Sequence, residues 1–187
     1  MLLLRFLIII SLSCSSAVSS VINRNNPLTK RDSPSPDDPA FIDTILEIVN
    51  PIRKDHAARN LSWDSTLASF ALQKSNGCRL DHAGPYGENI YWSWFDPPTF
   101  EPDFAEEARF AFEVWTSQEE VEAYQSGDLQ GGSHFTQTVW KATTKIGCAF
   151  STERCVDHPD QEWWFYCTFY PRGNLVGAYA GNVTVRT

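Results

Sequence analysis

Two alternating apolar runs in the last third of the sequence constrain its fold more than any other feature. Apolar residues occupy every second position from 146 to 150 and again from 163 to 169, which is the period of a β-strand. The Asp-His-Pro-Asp stretch at 157–160 favours a turn between the two runs. Because the midpoint between Cys148 and Cys167 falls in that turn, a hairpin would place these two cysteines opposite one another, within reach of a disulfide bond.

The remaining cysteines indicate an oxidising compartment. Residues 1–20 combine a charged start, an apolar core and a small-residue end, so we interpret them as a secretory signal peptide; a membrane anchor is the alternative. Removing that segment with its Cys14 leaves four of the five cysteines, an even number that predicts two disulfides in one of three connectivities. The hairpin pairing would leave Cys155, in the connection between the runs, to reach Cys78.

The segment that follows is interpreted as processed rather than folded. The dibasic pair at 30–31 is typical of a cleavage site, so residues 21–31 would form a pro-segment. Residues 32–40 are rich in Pro, Ser and Asp and are predicted to be a linker, which leaves 41–187 as one domain. Two Asn-x-Ser/Thr sequons, the acceptors of N-glycosylation, fit the same extracellular location: Asn60 and Asn182.

The charge of the sequence argues against some classes of partner. The full sequence carries 15 basic and 23 acidic residues, and loss of the four basic residues in 1–31 would lower the formal net charge from −8 to −12. A protein this negative is not expected to bind nucleic acid or an anionic membrane surface by default. We therefore expect a secreted, extracellular protein with no nucleic-acid partner and no stable membrane anchor.

Helical periodicity predicts three helices before the hairpin. The first covers 41–59 and contains Pro51, so it should either kink or restart with Asn50 as its cap. Asp64 is positioned to cap a second helix. A third helix follows Asp103 and carries an apolar stripe that is typical of ordinary core packing. The stripe consists of Ala108, Ala111, Phe112 and Trp115.

Two stretches carry polar residues of the kind that gather at functional sites. A diglycine at 131–132 precedes His134 and is expected to give the backbone unusual freedom there; a structural histidine is the alternative. His82 and Glu88 lie six residues apart in a Gly/Pro-rich stretch, which favours either a binding loop or a plain surface turn. The acidic run at 119–122 is, by itself, typical of a solvated helix face.

An aromatic segment at 91–104 is the candidate contact surface for an apolar ligand. It holds more aromatic area than an exposed segment ordinarily needs, although packing against the following helix would explain it equally well. Its aromatic residues are Tyr91, Trp92, Trp94, Phe95, Phe100 and Phe104.

Five motifs in order resemble the CAP superfamily, which contains cysteine-rich secretory proteins, antigen 5 and pathogenesis-related class 1 proteins. The Ser-His-Phe-Thr-Gln stretch that leads to Trp at 133–140, with Ile-Gly-Cys-Ala at 146–149, is similar to the first diagnostic motif, and 167–174 is similar to the second. Gly-Glu-Asn-Ile at 87–90 and Leu-Ser-Trp-Asp at 61–64 match further landmarks. Secreted fungal members look most similar, because of the dibasic site.

The resemblance implies an α+β fold, a three-layer α-β-α sandwich with a small antiparallel sheet between helical layers. It also implies the two disulfides that the hairpin geometry favours, Cys148–Cys167 and Cys78–Cys155. Members gather two histidines and two glutamates in a central cleft, and these positions correspond here to His82, Glu88, Glu120 and His134. In the family pattern, counting forward from Trp115 gives Gln118, whereas counting back from Tyr124 gives Glu120. We choose Glu120, which implies a two-residue insertion, and keep Glu119 as the reserve.

Two departures from the family pattern bear on function. The family's His-Asn-x-x-Arg opening is present at 49–53 with Val in place of His. Fungal relatives that resemble sterol exporters carry an aromatic residue in the loop before the motif histidine, whereas 125–133 contains none. Sterol binding through that loop is therefore in question, and the aromatic segment at 91–104 is the alternative contact.

Two classes of function fit these residues. We expect a secreted protein that binds an apolar ligand, such as a sterol or fatty acid, or that acts on an extracellular protein target. The alternative is a metal-dependent hydrolase whose His/Glu cleft holds zinc. The sequence contains neither a His-Glu-x-x-His helix nor a nucleophile-elbow serine, which favours binding over catalysis. We expect that binding requires no cofactor. Any divalent cation should be held weakly, and its affinity should fall further in acid because the imidazoles take up protons.

Overall fold

The computed structural model describes residues 33–93, 102–155 and 163–186. In chain order the elements are α1 (Pro39–Asp55), β1 (Ser62–Trp63), α2 (Ser65–Ser75), β2 (Gly87–Ser93), α3 (Phe104–Trp115), α4 (Gln118–Ser126), α5 (Ser133–Thr138), β3 (Lys145–Phe150), β4 (Trp163–Tyr170) and α6 (Tyr179–Asn182). The predicted signal peptide, the pro-segment and the turn at 157–160 lie outside the described residues. Within the described ranges, no helix is both long enough and apolar enough to cross a membrane.

The four strands form one sheet in the order β1-β3-β4-β2. β3 and β4 form the predicted hairpin, with Cys148 opposite Cys167, and β2 pairs antiparallel with the other edge of β4. The two-residue β1 adds a parallel pair along β3, where the Asp64 N–H donates to the Ile146 carbonyl over 2.9 Å. The three long strands are antiparallel as predicted, but β1 makes the whole sheet mixed.

Both predicted disulfides are confirmed. Cys148–Cys167 joins β3 to β4 across the hairpin, with a Cα–Cα distance of 4.1 Å. Cys78–Cys155 joins the segment after α2 to the segment after β3, with a Cα–Cα distance of 5.7 Å. The second bond therefore ties the start of the stretch that carries His82 to the hairpin side of the domain.

Alternate residues of β4 face two different helical layers. Trp163, Phe165 and Phe169 belong to a core cluster formed with α1 and α3, whereas Trp164 and Tyr166 belong to a cluster on the side of α2. All but the last residue of β4 are buried, so helices cover this strand on both of its faces. This arrangement confirms the predicted α+β class and the α-β-α sandwich.

A glycine allows α2 to pack directly on the sheet. A Cβ atom added to Gly147 would overlap the Ala68 nitrogen, so only a hydrogen atom fits between β3 and α2 at this point. From β4, the Thr168 hydroxyl donates to the Leu67 carbonyl over 2.9 Å. Asp64 caps α2 as predicted, accepting hydrogen bonds from two N–H groups of the first turn.

α1 differs from its sequence prediction at both ends and in the middle. It begins at Pro39, with Asp38 as its cap, so the last two residues of the predicted linker are helical. It continues through Pro51 as one helix, so the restart, one of the two alternatives expected there, does not occur, and it ends four residues earlier than expected. The Asn50 side chain does not cap a new helix because it pairs with the backbone of Leu61, over 2.7 and 3.3 Å.

Candidate functional site

His134 lies on α5, and side chains from distant parts of the chain hold this short helix in place. Asn89 of β2 donates from Nδ2 to the His134 carbonyl and to the Thr138 hydroxyl, both over 3.0 Å. Asn174, after β4, accepts from the Thr136 hydroxyl over 2.7 Å. Because six residues make a marginal helix on their own, these contacts rather than local propensity position His134.

A buried arginine fixes the other end of α5. The Arg53 guanidinium donates to four backbone carbonyls over 2.7 to 3.0 Å, and the side chain is fully buried. The acceptors are the carbonyls of Arg59, Thr138, Trp140 and Thr143. Burial lowers the pKa of Arg53 to about 10. The sequence alone assigns no role to Arg53 in positioning α5. The signal that could have indicated it is the Asn-x-x-Arg motif, in which Arg53 is the last residue.

Glu120 of α4 pairs with His134. The distance between Glu120 Oε1 and His134 Nδ1 is 2.6 Å, and the other carboxylate oxygen accepts from the Phe135 N–H over 3.4 Å. Glu119, the reserve candidate, is exposed. The His134 ring stacks on Trp115, with 6.3 Å between the ring centroids. Because Nδ1 faces the carboxylate, Nε2 is the nitrogen that His134 can offer to a ligand.

The glycines before His134 have a different role from the predicted one. Gly132 has a φ of −98°, which other residues also adopt, so backbone freedom is not what this position requires. A Cβ atom there would lie 2.7 Å from the Glu120 carbonyl oxygen and 2.8 Å from Tyr124. Glycine is needed because α4 and α5 approach closely, and this approach brings Glu120 within reach of His134.

Glu88 is buried, whereas His82 is largely exposed. Glu88 is the second residue of β2 rather than part of a turn, and only 2% of its side chain is exposed, against 54% for His82. His82 Nδ1 lies 3.7 Å from Glu88 Oε2, and Lys74 Nζ lies 3.9 Å from Oε1. Both distances are too long for hydrogen bonds, and neither carboxylate oxygen accepts one from any described residue.

Lys74 and Tyr166 hold the segment around His82 against α2 and β4. The Lys74 ammonium group contacts Asp81 Oδ2 at 3.0 Å and donates to the Ala83 carbonyl over 3.1 Å. Hydrogen bonds from the Ala83 N–H and from Lys74 lower the pKa of Asp81. The Tyr166 hydroxyl, whose pKa burial raises to about 12, accepts from the Asp81 N–H over 3.3 Å. His82 is therefore exposed but carried on an anchored segment.

Two cavities adjoin at these residues. The larger, which we call the apolar cavity, has a volume of about 530 Å³. Its apolar wall consists of Leu80, Ile90, Tyr91, Trp92, Val114 and Trp115. The smaller, the polar cavity, has a volume of about 280 Å³ and is lined among others by Tyr86, Glu88, Gln137, Arg172 and Asn174. The residues common to both walls are His82, Gln130, Ser133 and His134.

The predicted aromatic contacts fall into three groups. Tyr91 and Trp92 line the apolar cavity, and the Tyr91 hydroxyl donates to Glu107 Oε2 over 3.1 Å. Burial raises the pKa of both Tyr91 and Glu107. Phe104 is only 8% exposed, packs against Trp163 in the core and does not line the apolar cavity, so its role as a ligand contact stays a prediction. Three of the predicted contacts lie outside the described residues: Trp94, Phe95 and Phe100.

The two sequons differ in accessibility. Asn60 is exposed in the segment between α1 and β1. Asn182 is half-buried, and its side chain accepts from the Ala142 N–H over 3.1 Å and donates to the Ala178 carbonyl over 2.9 Å. Glycosylation of either residue stays a prediction, and the exposed Asn60 is the better acceptor.

The four cleft residues do not fit a preformed metal site. They make two separate contacts, Glu120 with His134 and Glu88 with His82. In the described part of the chain, no three or more His, Cys, Asp or Glu side chains are grouped so that they could hold one ion. Zinc sites in proteins ordinarily use three or four protein ligands. The expected weak binding of a divalent cation stays a prediction.

A disulfide-linked α-β-α sandwich, with a cleft that brings histidines and glutamates from separate elements together, defines a CAP-type domain. The chain belongs to this family: the model of the cysteine-rich secretory protein family (CAP) matches residues 46–169. The predicted resemblance is thereby confirmed over most of the described domain.

Relatives of the chain occur in plants and fungi. Pathogenesis-related protein PR-1 of Medicago truncatula is 35% identical over 146 residues, which cover 74% of this chain and 78% of that protein. Pathogenesis-related protein PRMS of Zea mays is 34% identical over 125 residues, covering 63% of this chain and 68% of that protein. Secreted protein RBT4 of Candida albicans is 34% identical over 149 residues, covering 75% of this chain and 37% of that protein.

Solved structures share the fold. The crystal structure of NaASP2 with Zn2+ aligns with a TM-score of 0.60 at 22% identity, covering 75% of this chain and 84% of that one. The crystal structure of MpPR-1i aligns with a TM-score of 0.52, also at 22% identity, covering 76% of this chain and 96% of that one. At these identities the likeness concerns the fold alone.

Proposed function

We propose that this chain is a secreted protein that binds an apolar ligand of sterol or fatty-acid size. The observation that carries the proposal is the apolar cavity, because its volume of about 530 Å³ and its aliphatic and aromatic wall are typical of small-molecule sites. Polar groups are concentrated on the side that it shares with the polar cavity. A ligand with one polar end would suit this distribution.

The wall of the apolar cavity is held in place by contacts behind it. Trp115 Nε1 donates to the Ile90 carbonyl over 3.1 Å, so α3 and β2 fix each other's cavity-lining residues. Trp92 packs on Trp164 of β4, with 5.4 Å between the ring centroids. An ordered wall loses little conformational freedom when a ligand binds, which favours affinity for an apolar molecule.

Secretion is the second part of the proposal. RBT4, one of the relatives, is named as a secreted protein. Two disulfides within one domain are typical of proteins that fold outside the reducing cytosol. The N-terminal sequence pattern described above agrees with this compartment, and an extracellular protein target stays a further hypothesis.

A zinc-dependent reaction is not part of the proposal. NaASP2 was crystallised with Zn2+, but the histidines and glutamates described in this chain form two pairs rather than one group of three ligands. We infer that a divalent cation is at most weakly held in this cleft. The chemistry of the described residues therefore supports binding more strongly than hydrolysis.

The proposal is tested by measuring the binding of ergosterol and palmitate to delipidated protein. At least one probe should bind the wild type. Val114→Trp places an indole at the rim of the apolar cavity and should weaken binding about tenfold or more, because each CH2 group displaced from an apolar site costs about 0.8 kcal/mol.

The matched control is Arg109→Trp, which adds the same ring to an exposed position of α3 that does not line the cavity. This variant should bind like the wild type, and thermal unfolding should verify that both variants are folded. If neither ergosterol nor palmitate binds the wild type, the proposal is contradicted. Equal affinities of the two tryptophan variants for the bound probe would also contradict it.

A further inference from the structure

Glu88 is a buried carboxylate that lines the polar cavity. We propose that Glu88 is the receptor for a primary ammonium group, and that the ligand is an amphipathic amine whose hydrocarbon chain lies in the apolar cavity. The inference rests on the proposed function, and it narrows the ligand class from apolar molecules in general to those with an amine head.

The argument begins with the burial of Glu88. Only 2% of its side chain is exposed, and neither carboxylate oxygen accepts a hydrogen bond within the described part of the chain. Buried polar groups in folded proteins are almost always paired, because an unpaired one costs free energy and a charged one costs more. A ligand that supplies donors to Glu88 would recover this free energy on binding.

Neighbouring cations do not supply these donors. Lys74 Nζ lies 3.9 Å from Glu88 and His82 Nδ1 lies 3.7 Å from it, both beyond hydrogen-bond distance. Lys74 directs its ammonium group to Asp81 instead, at 3.0 Å. On another side, a Cβ atom at Gly84 would lie 2.6 Å from Glu88 Oε1, so the backbone approaches closely there. The two carboxylate oxygens have almost no exposed surface, so an ammonium group reaches them from the polar cavity when the exposed side chain of His82 rotates away.

The need for hydrogen-bond donors sets the chemistry of the head group. A primary ammonium carries three N–H donors, two for the oxygens of Glu88 and one for a hydroxyl of the same cavity, such as that of Ser133 or Tyr86. A quaternary ammonium carries none, and a carboxylate head would place like charges together. The exposed Arg172 also lines this cavity and suits a phosphate or hydroxyl further along a head group.

The two cavities are adjacent, so one molecule can occupy both. Their common wall consists of His82, Gln130, Ser133 and His134. With its ammonium at Glu88, a linear ligand would pass this wall and lay its chain against Ile90, Trp92 and Val114. Because the formal net charge of the sequence is −8, any cation gains some general attraction. If Glu88 recognises the N–H groups, the affinity for a primary ammonium must therefore exceed the affinity for a cation that has no N–H groups.

The experiment is isothermal titration calorimetry on delipidated protein at pH 7 with probes of equal chain length: dodecylamine, dodecyltrimethylammonium, dodecanoate and dodecanol. Dodecylamine should bind about tenfold to hundredfold more tightly than the other three, as expected for charge-assisted hydrogen bonds to a buried carboxylate. Glu88→Gln should remove this preference, whereas Glu113→Gln, the same change at an exposed position of α3, should retain it.

The outcomes separate this inference from the function on which it rests. Tighter binding of dodecanoate or dodecanol would overturn the role of Glu88 and leave the apolar-ligand function standing. Equal binding of dodecylamine and dodecyltrimethylammonium would show general charge attraction and overturn the inference, as would an unchanged preference in Glu88→Gln. Absence of binding of all four probes, together with ergosterol and palmitate, would overturn both. The comparison of probes on the wild type remains decisive if Glu88→Gln does not fold.

Discussion

At the scale of single residues, Arg53 joins parts of the chain that lie far apart in sequence. Its four carbonyl acceptors lie after α1, at the end of α5 and in the segment before β3. The orientation of α5, and with it the position of His134, depends on these bonds. Removing the guanidinium would leave several buried carbonyls without donors, at about 1–3 kcal/mol for each one left unsatisfied.

We predict that Arg53→Met lowers the free energy of unfolding by about 3–5 kcal/mol, a loss typical of breaking a buried network. Urea unfolding followed by tryptophan fluorescence measures it. Arg109→Met removes the same group from an exposed position and should change stability by no more than about 0.5 kcal/mol. A loss below about 1 kcal/mol for Arg53→Met would mean that the carbonyls find other donors.

The sequence identifies the cleft residues better than it identifies their surroundings. Of the two counts in the family pattern, the one from Tyr124 selects Glu120, and it is Glu120 that reaches His134. The burial of Glu88 could not be predicted, because it depends on the pairing of β2 with β4 and on the packing of a distant segment. Leu80 and Val114 are likewise single apolar residues on separate segments, and no local pattern marks them as one cavity wall.

At the scale of elements, Asp64 links a helix to a strand. It caps α2 and also pairs with Lys145 of β3, with 2.7 Å between Oδ2 and Nζ. The hydrogen bond from Lys145 is the main cause of the lowered pKa of Asp64, and the same bond raises the pKa of Lys145. Because the folded-state pKa of Asp64 lies below its unfolded value, its contribution to stability is present above about pH 3.9 and is lost as pH falls through the folded value.

We predict that Asp64→Asn, which keeps a capping oxygen but removes the charge, costs about 0.2–1 kcal/mol at pH 7, since the pair is partly solvated. The cost should fall as the pH drops below about 3.9 and vanish at a pH below the folded-state pKa of Asp64. Lys145→Met removes the same ion pair and should also lower the stability at pH 7. Asp64→Ala also removes the cap and should cost about 1 kcal/mol more. Urea unfolding at both pH values measures all three variants, and a pH-independent cost for Asp64→Asn would contradict the assignment.

Elements with a local pattern were predictable, and elements held by distant contacts were not. β3 and β4 carry apolar residues at every second position and a cysteine each, and α2 has its cap in sequence, so each follows from neighbouring residues. α5 has only six residues and depends on Asn89 and Arg53 from other elements. The restart of α1 at Pro51, one of two alternatives expected there, is absent for a similar reason, because the partner of Asn50 is Leu61, eleven residues away.

At the scale of the whole domain, the two disulfides have different relations to the site. Cys148–Cys167 lies within the core between the sheet and the layer of α1 and α3. Cys78–Cys155 lies on the α2 side and holds the start of the segment that continues through Asp81 to His82. The sequence separations are 77 for Cys78–Cys155 and 19 for Cys148–Cys167, so the chain-entropy contribution is larger for the first, at about 4 against 3 kcal/mol.

The last prediction follows from this difference in position. Cys78→Ala/Cys155→Ala should loosen the segment that carries His82, because only hydrogen bonds such as that from the Asp81 N–H to the Tyr166 hydroxyl would then tie it to the sheet. Amide exchange at Asp81 should accelerate more than the loss of global stability explains, because the disulfide no longer restrains local opening of this segment. Cys148→Ala/Cys167→Ala is the matched control: it should lower global stability while exchange at Asp81 follows the global loss. Equal local exchange in the two variants would mean that the disulfide does not anchor this wall of the cleft.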